Sequence, residues 1–112
     1  MVARLKTGLW VQAQIRQSNV DNLPLVVTRR GDPDSGTVLL VVQHRDLTQT
    51  VYSQVYTGEG ARGWMRGTGP SPVTAEEAQR YVERAIARDY DIWVLEIEDR
   101  EGRFKLDGKL LP

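Results

Sequence analysis

Three residue types are absent or scarce in this sequence of 112 residues, which contains no cysteine, one histidine and one phenylalanine. Without cysteine the chain has no disulfide framework, no thiol nucleophile and no thiolate metal site. This composition suits a reducing compartment, and we expect a cytoplasmic location. Because His44 is the single histidine, a metal cluster or acid–base triad of the usual kind would depend on it.

Long apolar runs are also missing. The longest apolar run is closed by Arg45 and Asp46, and it does not approach the roughly 18 apolar residues that a membrane span needs. Residues 1–7 include basic side chains, but the apolar segment of a signal peptide does not follow them. We therefore expect a soluble protein without a secretion signal or a membrane partner.

The chain has no excess of charge of either sign, since 15 basic residues balance 15 acidic ones. The total charge thus gives no reason to expect nucleic acid or a membrane surface. Locally the balance differs: residues 1–30 carry five Lys or Arg against one Asp, and residues 91–112 carry four against six acids. A basic and an acidic patch on one fold would allow self-association.

Among the features that the sequence does contain is a turn-forming stretch at residues 29–36, with the sequence Arg-Arg-Gly-Asp-Pro-Asp-Ser-Gly. Runs rich in β-branched residues flank it, Leu25 to Thr28 before and Thr37 to Val42 after, so the pattern predicts a hairpin. The second run is apolar at nearly every position, which predicts a central strand covered on both faces. A further strand, Thr50 to Tyr56, alternates in polarity.

The clearest helix signal begins at Thr74, which forms a capping box with Glu77. Apolar residues then recur at spacings of three and four and give one apolar stripe, formed by Ala75, Ala78, Val82, Ala85 and Ile86. The pattern predicts a long helix from about Thr74 to Arg88. A strand should follow from Ile92 to Glu98, then an edge strand from Arg103 to Leu106, while residues 107–112 should fray.

The segment of residues 9–18 is ambiguous. Its apolar residues alternate as in a strand, yet its Gln, Ala and Arg content favours a helix that Thr7 could cap. The pattern alone leans towards a strand.

Three segments together resemble a family of small uncharacterised proteins of Alphaproteobacteria, a domain of unknown function. They are Arg4-Leu5-Lys6-Thr7 with Trp10-Val11 and Ala13, the 29–34 stretch with Gly36, and Trp93 to Arg100 with Gly102. The resemblance implies a bacterial source and a cytoplasmic compartment, but no activity, cofactor or catalytic residue. In similar members the segment that matches residues 9–18 is more helical, so the resemblance favours a helix there.

These observations predict one α+β domain, residues 1–112. We expect a mostly antiparallel, meandering sheet of five or six strands, with the long helix and an N-terminal helix packed on one face.

Two constellations have the residue types of a chemical site. Asp32, Asp34 and Gly36 match part of a calcium loop, but an apolar run follows where the later ligands should lie, and turn chemistry explains these residues better. His44 could act as an acid–base partner of the acids on the C-terminal strand, which are Glu96, Glu98, Asp99 and Glu101. This enzyme hypothesis is an alternative, and we assign no catalytic residue, cofactor or metal.

The leading hypothesis is a non-catalytic binding or interaction protein that could form a homodimer. Its candidate interaction surface contains Arg29, Arg30, Tyr52, Tyr56, Arg62, Trp64 and Arg66. Trp64, Tyr52 and Tyr56 are expected to be exposed, and Trp10 and Trp93 to lie in the core. An alternative hypothesis is that the arginines contact phosphates of RNA or single-stranded DNA while Trp64 stacks on a base.

Overall fold

The structure is a computed structural model that describes residues 5–56 and 62–112. One six-stranded sheet carries a helix on each face. In chain order the elements are α1 (Thr7–Asp21), β1 (Leu25–Arg29), β2 (Val38–Gln43), β3 (Gln49–Tyr56), β4 (Arg62–Arg66), α2 (Ala75–Arg88), β5 (Trp93–Glu98) and β6 (Lys109–Leu110). Within these residues neither helix is long and apolar enough to cross a membrane.

The sheet is mixed, with the strand order β1-β5-β2-β3-β4-β6. The predicted α+β class with five or six strands is confirmed, and three of the five strand pairs in the described residues are antiparallel. The pairs β2–β5 and β4–β6 are parallel, so the sheet is mixed and the prediction of one continuous meander is wrong. The predicted hairpin of β1 and β2 is also wrong, because β5 lies between the two strands. The reason is burial: β2 and the first half of β5 are apolar on both faces, and pairing the two strands in the centre covers them, which leaves β1 at the edge.

The prediction of β2 as a central strand is confirmed. Its side chains alternate between two apolar clusters: Val38 and Leu40 pack on the α1 side, and Leu39 and Val41 pack on the α2 side. All four are buried. The core therefore consists of two apolar layers that share the central strands.

The long helix is confirmed as α2, and the Thr74 side chain caps its start as predicted. The Thr74 hydroxyl accepts a hydrogen bond from the Glu77 backbone N–H at 3.1 Å. Ala78, Val82 and Ala85 of the apolar stripe are buried against the sheet.

The helix at residues 9–18 is confirmed too, as part of α1, but Thr7 does not cap it. Lys6 occupies the cap position and makes no side-chain capping bond. Thr7 lies inside the first turn, where its hydroxyl donates to the Gly36 carbonyl oxygen at 2.7 Å. The helix start is therefore fixed by the 29–36 stretch rather than by its own cap. The two helices cover opposite faces of the sheet, whereas we expected both on one face.

Two predictions for the C-terminal segment are wrong. Residues 103–106 form no strand, and the end of the chain does not fray, because β6 pairs with β4. Asp107 anchors this segment on the α1 face: its carboxylate accepts the Trp10 indole N–H at 2.6 Å, and its carbonyl oxygen accepts the Trp64 indole N–H at 2.9 Å. The indole donors are satisfied by residues distant in sequence, which no local pattern indicates.

Candidate functional site

A cleft of about 500 Å³ opens between α1, the edge strand β1 and residues 31–36. We call it the α1–turn cleft. Its lining comes from Lys6, Gly8, Leu9, Val11, Gln12, Ile15, Val27, Arg30, Pro33, Asp34 and Trp93. The cleft exists because α1 covers the central strands but only partly covers β1, the strand that β5 displaced to the edge.

The turn that closes one end of the cleft is held from two sides. On the helix side, the Gly8 N–H donates to the Pro33 carbonyl oxygen at 2.8 Å. On the sheet side, the Trp93 indole N–H donates to the Asp32 carbonyl oxygen at 2.8 Å. A Cβ at Gly31 would lie 2.1 Å from the Asp91 carbonyl oxygen, so only glycine allows this approach. The turn is therefore well positioned before any ligand binds.

The floor and walls of the cleft are apolar. Val11 and Trp93 are buried at its base, Ile15 and Val27 are half-buried along its length, and the Leu9 side chain at its rim is 53% exposed. An apolar wall that stays partly in contact with water is a site where a ligand can bury surface.

Charged side chains gather at the turn end of the cleft. The Arg30 guanidinium lies 5.8 Å from the centre of the Trp93 ring, a cation–π contact. Lys6 Nζ is 3.7 Å from Asp34 Oδ1, and both side chains are mostly exposed. Two cations and one carboxylate therefore line this end.

The aspartates of the turn are explained by backbone geometry. Asp32 accepts hydrogen bonds from the Asp34 N–H at 3.1 Å and from the Ser35 hydroxyl at 2.9 Å. This is an Asx-type turn, as turn chemistry predicts. Across residues 5–56 and 62–112, three or more His, Asp or Glu side chains nowhere group closely enough to hold a metal ion.

Of the seven residues predicted as an interaction surface, the structure places Arg30 and Tyr56 on two sides of the turn. Arg30 lines the α1–turn cleft, and Tyr56, 39% exposed, lines a depression of about 130 Å³ on the other side. Asp34 lines both.

Arg29 lies on the opposite face of the sheet. The register of β1 against β5 shifts between Val27 and Arg29, and this bulge turns the Arg29 side chain towards α2. There its guanidinium donates to the Tyr90 carbonyl oxygen at 2.9 Å. The neighbours Arg29 and Arg30 therefore do not form one basic patch.

The prediction that Trp64 is exposed is wrong. Its side chain is 0% exposed, because β4 directs it to the α1 face, where Trp10 and the C-terminal segment cover it. Arg62 packs over the Trp10 ring at 4.5 Å, Tyr52 is half-buried, and Arg66 is exposed.

The nucleic-acid hypothesis loses its stacking group through this burial. Its arginines are also separated, since β1 and β4 are four strand positions apart, about 19 Å at the usual strand spacing. Arg66 on β4 therefore does not adjoin the β1 end of the sheet where Arg30 lies.

The residues of the enzyme hypothesis reach the same end of the sheet but form separate contacts. His44 Nε2 lies 2.8 Å from the Thr50 hydroxyl, whereas the Asp99 carboxylate accepts the backbone N–H groups of Arg103 and Phe104 at 2.8 and 3.1 Å. Glu96 and Glu98 alternate with the buried side chains of β5 and are exposed. Asp99 thus stabilises a turn instead of orienting His44.

One carboxylate near His44 has a perturbed pKa. Hydrogen bonds from the Thr48 hydroxyl and backbone N–H lower the pKa of Asp46 below its usual value, and the charge of His44 adds a small contribution in the same direction. This geometry stabilises an exposed turn, and it does not create a proton donor.

Sequence reasoning missed most of the cleft. Trp93 was assigned to the core, which is correct for its burial, but its ring also forms the base on which Arg30 lies. Leu9 offered a signal, because on a helix it falls outside the buried stripe of Trp10 and Val11. No sequence pattern indicated that β1 would form a wall of the cleft, because its position at the edge depends on the insertion of β5 between β1 and β2.

Comparisons with known proteins match the chain over nearly its whole length. The family described as "Protein of unknown function (DUF1491)" matches residues 5–107. A crystal structure of a DUF1491 family protein from Caulobacter crescentus CB15 is 37% identical, with a TM-score of 0.83, and the match covers 96% of this chain and 100% of that one.

Two structures solved in solution agree with that match. An NMR structure of a DUF1491 family protein from the same organism is 36% identical, covers 99% of this chain and 100% of that one, and has a TM-score of 0.82. The protein Atu0922 from A. tumefaciens is 25% identical over 88% of this chain and 89% of its own, with a TM-score of 0.75. No curated protein matches this chain. The resemblance to a domain of unknown function is confirmed, and the chain belongs to the DUF1491 family.

Proposed function

We propose that this chain is a non-catalytic cytoplasmic binding protein whose binding site is the α1–turn cleft. The observation that carries the proposal is the apolar wall of Leu9, Ile15 and Val27, which stays partly open to water beside a fixed turn. The volume of about 500 Å³ lies within the range of ligand sites, which is about 300–1,000 Å³.

Apolar contact and a turn that is already ordered both favour binding at this cleft. Each Å² of apolar wall that a ligand covers contributes about 25 cal/mol to binding. The ordering cost is small, because hydrogen bonds from Gly8 and Trp93 already hold the turn in place. The separate contacts of His44 and Asp99 support a binding role over an acid–base reaction.

Titration of the ¹⁵N-labelled chain with a neutral apolar probe, 1-octanol, tests the proposal. We expect saturable amide shifts confined to residues 8–15, Val27, Arg30 and Trp93. The substitution Ile15→Trp should fill the cleft and remove these shifts. Val20→Trp is the matched control, since Val20 lies on the same helix but is 77% exposed. Shifts elsewhere on the sheet, or shifts that survive Ile15→Trp in a folded variant, would contradict the proposal.

We propose self-association as a second function, because β1 presents an open edge. In the described part of the chain β1 pairs only with β5, and Val26 on this strand is 58% exposed. An edge with unpaired N–H and C=O groups is a template for pairing with a second copy. Sedimentation velocity over a concentration series tests this proposal, and a monomer at every concentration would contradict it.

A further inference from the structure

We propose that the ligand of the α1–turn cleft is a small amphipathic carboxylic acid, with its carboxylate at Arg30 and Lys6 and its apolar tail along Ile15 and Val27. This inference rests on the proposed function and names the ligand class for that site.

Arg30 supplies a positive charge at the turn end of the cleft. Its guanidinium lies over the Trp93 ring, and in the part of the chain that the structure describes it has no hydrogen-bond or ion-pair partner. The ring contact holds the guanidinium beside the cleft, and the donors of a guanidinium match the two oxygens of a carboxylate. Arg30 is thus a cation that is positioned at the cleft and still has its donors available.

Lys6 supplies a second positive charge, which is only weakly paired with Asp34. Their contact is long, at 3.7 Å, and both side chains are mostly exposed. Exposed pairs of this kind contribute about 0–1 kcal/mol, so an incoming carboxylate can compete for Lys6. The cleft lining holds two cations and one acid, a net charge of plus one. A cationic ligand would find only Asp34, since the nearby Asp32 carboxylate is already held by Ser35 and the Asp34 N–H.

The charged side chains of the cleft are all at one end. Lys6, Arg30 and Asp34 lie at the end where Gly8 contacts Pro33 and closes the cleft, and the wall towards Ile15 carries no charged side chain. A ligand with a charge at one terminus and an apolar tail fits this arrangement. A peptide crossing the cleft would meet the closed end, so we favour a small acid over a polypeptide.

Calorimetric titration of the full chain with three probes that each have a chain of ten carbons tests the inference. The probes are decanoate and decyltrimethylammonium, each below its micelle-forming concentration, and 1-decanol, below its solubility limit. We expect decanoate to bind about tenfold more tightly than 1-decanol, as charge-assisted hydrogen bonds to a guanidinium would give. Decyltrimethylammonium should bind more weakly than either.

The variant Arg30→Gln should remove most of the preference for decanoate, measured as the ratio of the affinities for decanoate and 1-decanol in the same variant. Arg66→Gln is the matched control, an exposed arginine on β4 that should keep the preference. Circular dichroism confirms that both variants fold. Equal affinity for decanoate and 1-decanol, or a preference that survives Arg30→Gln, would overturn the inference.

These outcomes separate the inference from the proposed function. If 1-octanol shifts the cleft residues but decanoate shows no advantage, the carboxylate assignment is wrong and the binding site stands. If decanoate binds with a preference that depends on Arg30, both are supported. If no probe binds at the cleft, both are wrong.

Discussion

Asp107 joins two tryptophan side chains through two different oxygens. Its carboxylate accepts the Trp10 N–H, and its main-chain carbonyl accepts the Trp64 N–H. The two rings pack with their centres 5.8 Å apart. A single residue thus fixes α1 and β4 to the C-terminal segment, and the burial of Trp64 depends on this arrangement.

Replacing Asp107 with alanine should destabilise the protein by about 1–3 kcal/mol, because the buried Trp10 indole N–H then loses its acceptor. Urea unfolding followed by tryptophan fluorescence measures the change. The control is Asp107→Asn, which keeps an acceptor and should cost less. Equal stability of the alanine variant and the wild type would show that this bond adds nothing.

At the scale of elements, each helix is fixed at its start in a different way. The start of α2 uses a local device, the Thr74 hydroxyl that accepts from the Glu77 N–H. The start of α1 uses distant contacts, since Thr7 and Gly8 bond to carbonyl oxygens of Gly36 and Pro33. This difference explains why the sequence pattern identified α2 clearly and left residues 9–18 ambiguous.

Thr74→Ala should lower the free energy of unfolding by about 1 kcal/mol, the usual cost of losing an N-cap side chain. Thr74→Ser keeps the hydroxyl and should stay close to the wild type. Thermal unfolding followed by circular dichroism compares the three proteins. A serine variant as unstable as the alanine variant would indicate that the hydroxyl is not the cause.

At the scale of the whole molecule, the two sheet edges differ. The outer edge of β4 is covered by β6, whose two residues pair with Gly63 and Trp64 of β4. The β1 edge is open in the described part of the chain. The same displacement of β1 that opens this edge also creates the α1–turn cleft, so both proposed binding surfaces follow from the position of β5.

If self-association uses this edge, Val26→Lys should shift the chain towards the monomer, because a charged side chain on an edge strand opposes pairing with a second copy. Sedimentation velocity at several concentrations measures the shift. Val20→Lys is the control, an exposed valine on α1. A dimer that both variants preserve would place the interface elsewhere.

The sequence by itself determined the features that depend on neighbouring residues. It predicted α2 with its cap, the buried strands β2 and β5, and the turn chemistry of Asp32 and Ser35, because propensity, periodicity and Asx bonding act over a few positions. It also identified Arg30 and Tyr56 as candidate surface residues, and it predicted the resemblance to a domain of unknown function.

Only the tertiary structure decided which elements pair. The insertion of β5 between β1 and β2, the burial of Trp64 under residues 107–111, and the cleft between α1 and β1 all depend on contacts between segments far apart in the chain. The sequence of a strand with two apolar faces does not indicate which strand pairs with it, because the hydrogen-bonding groups on both of its sides can pair equally well. The choice is made by the total apolar surface that the whole fold buries.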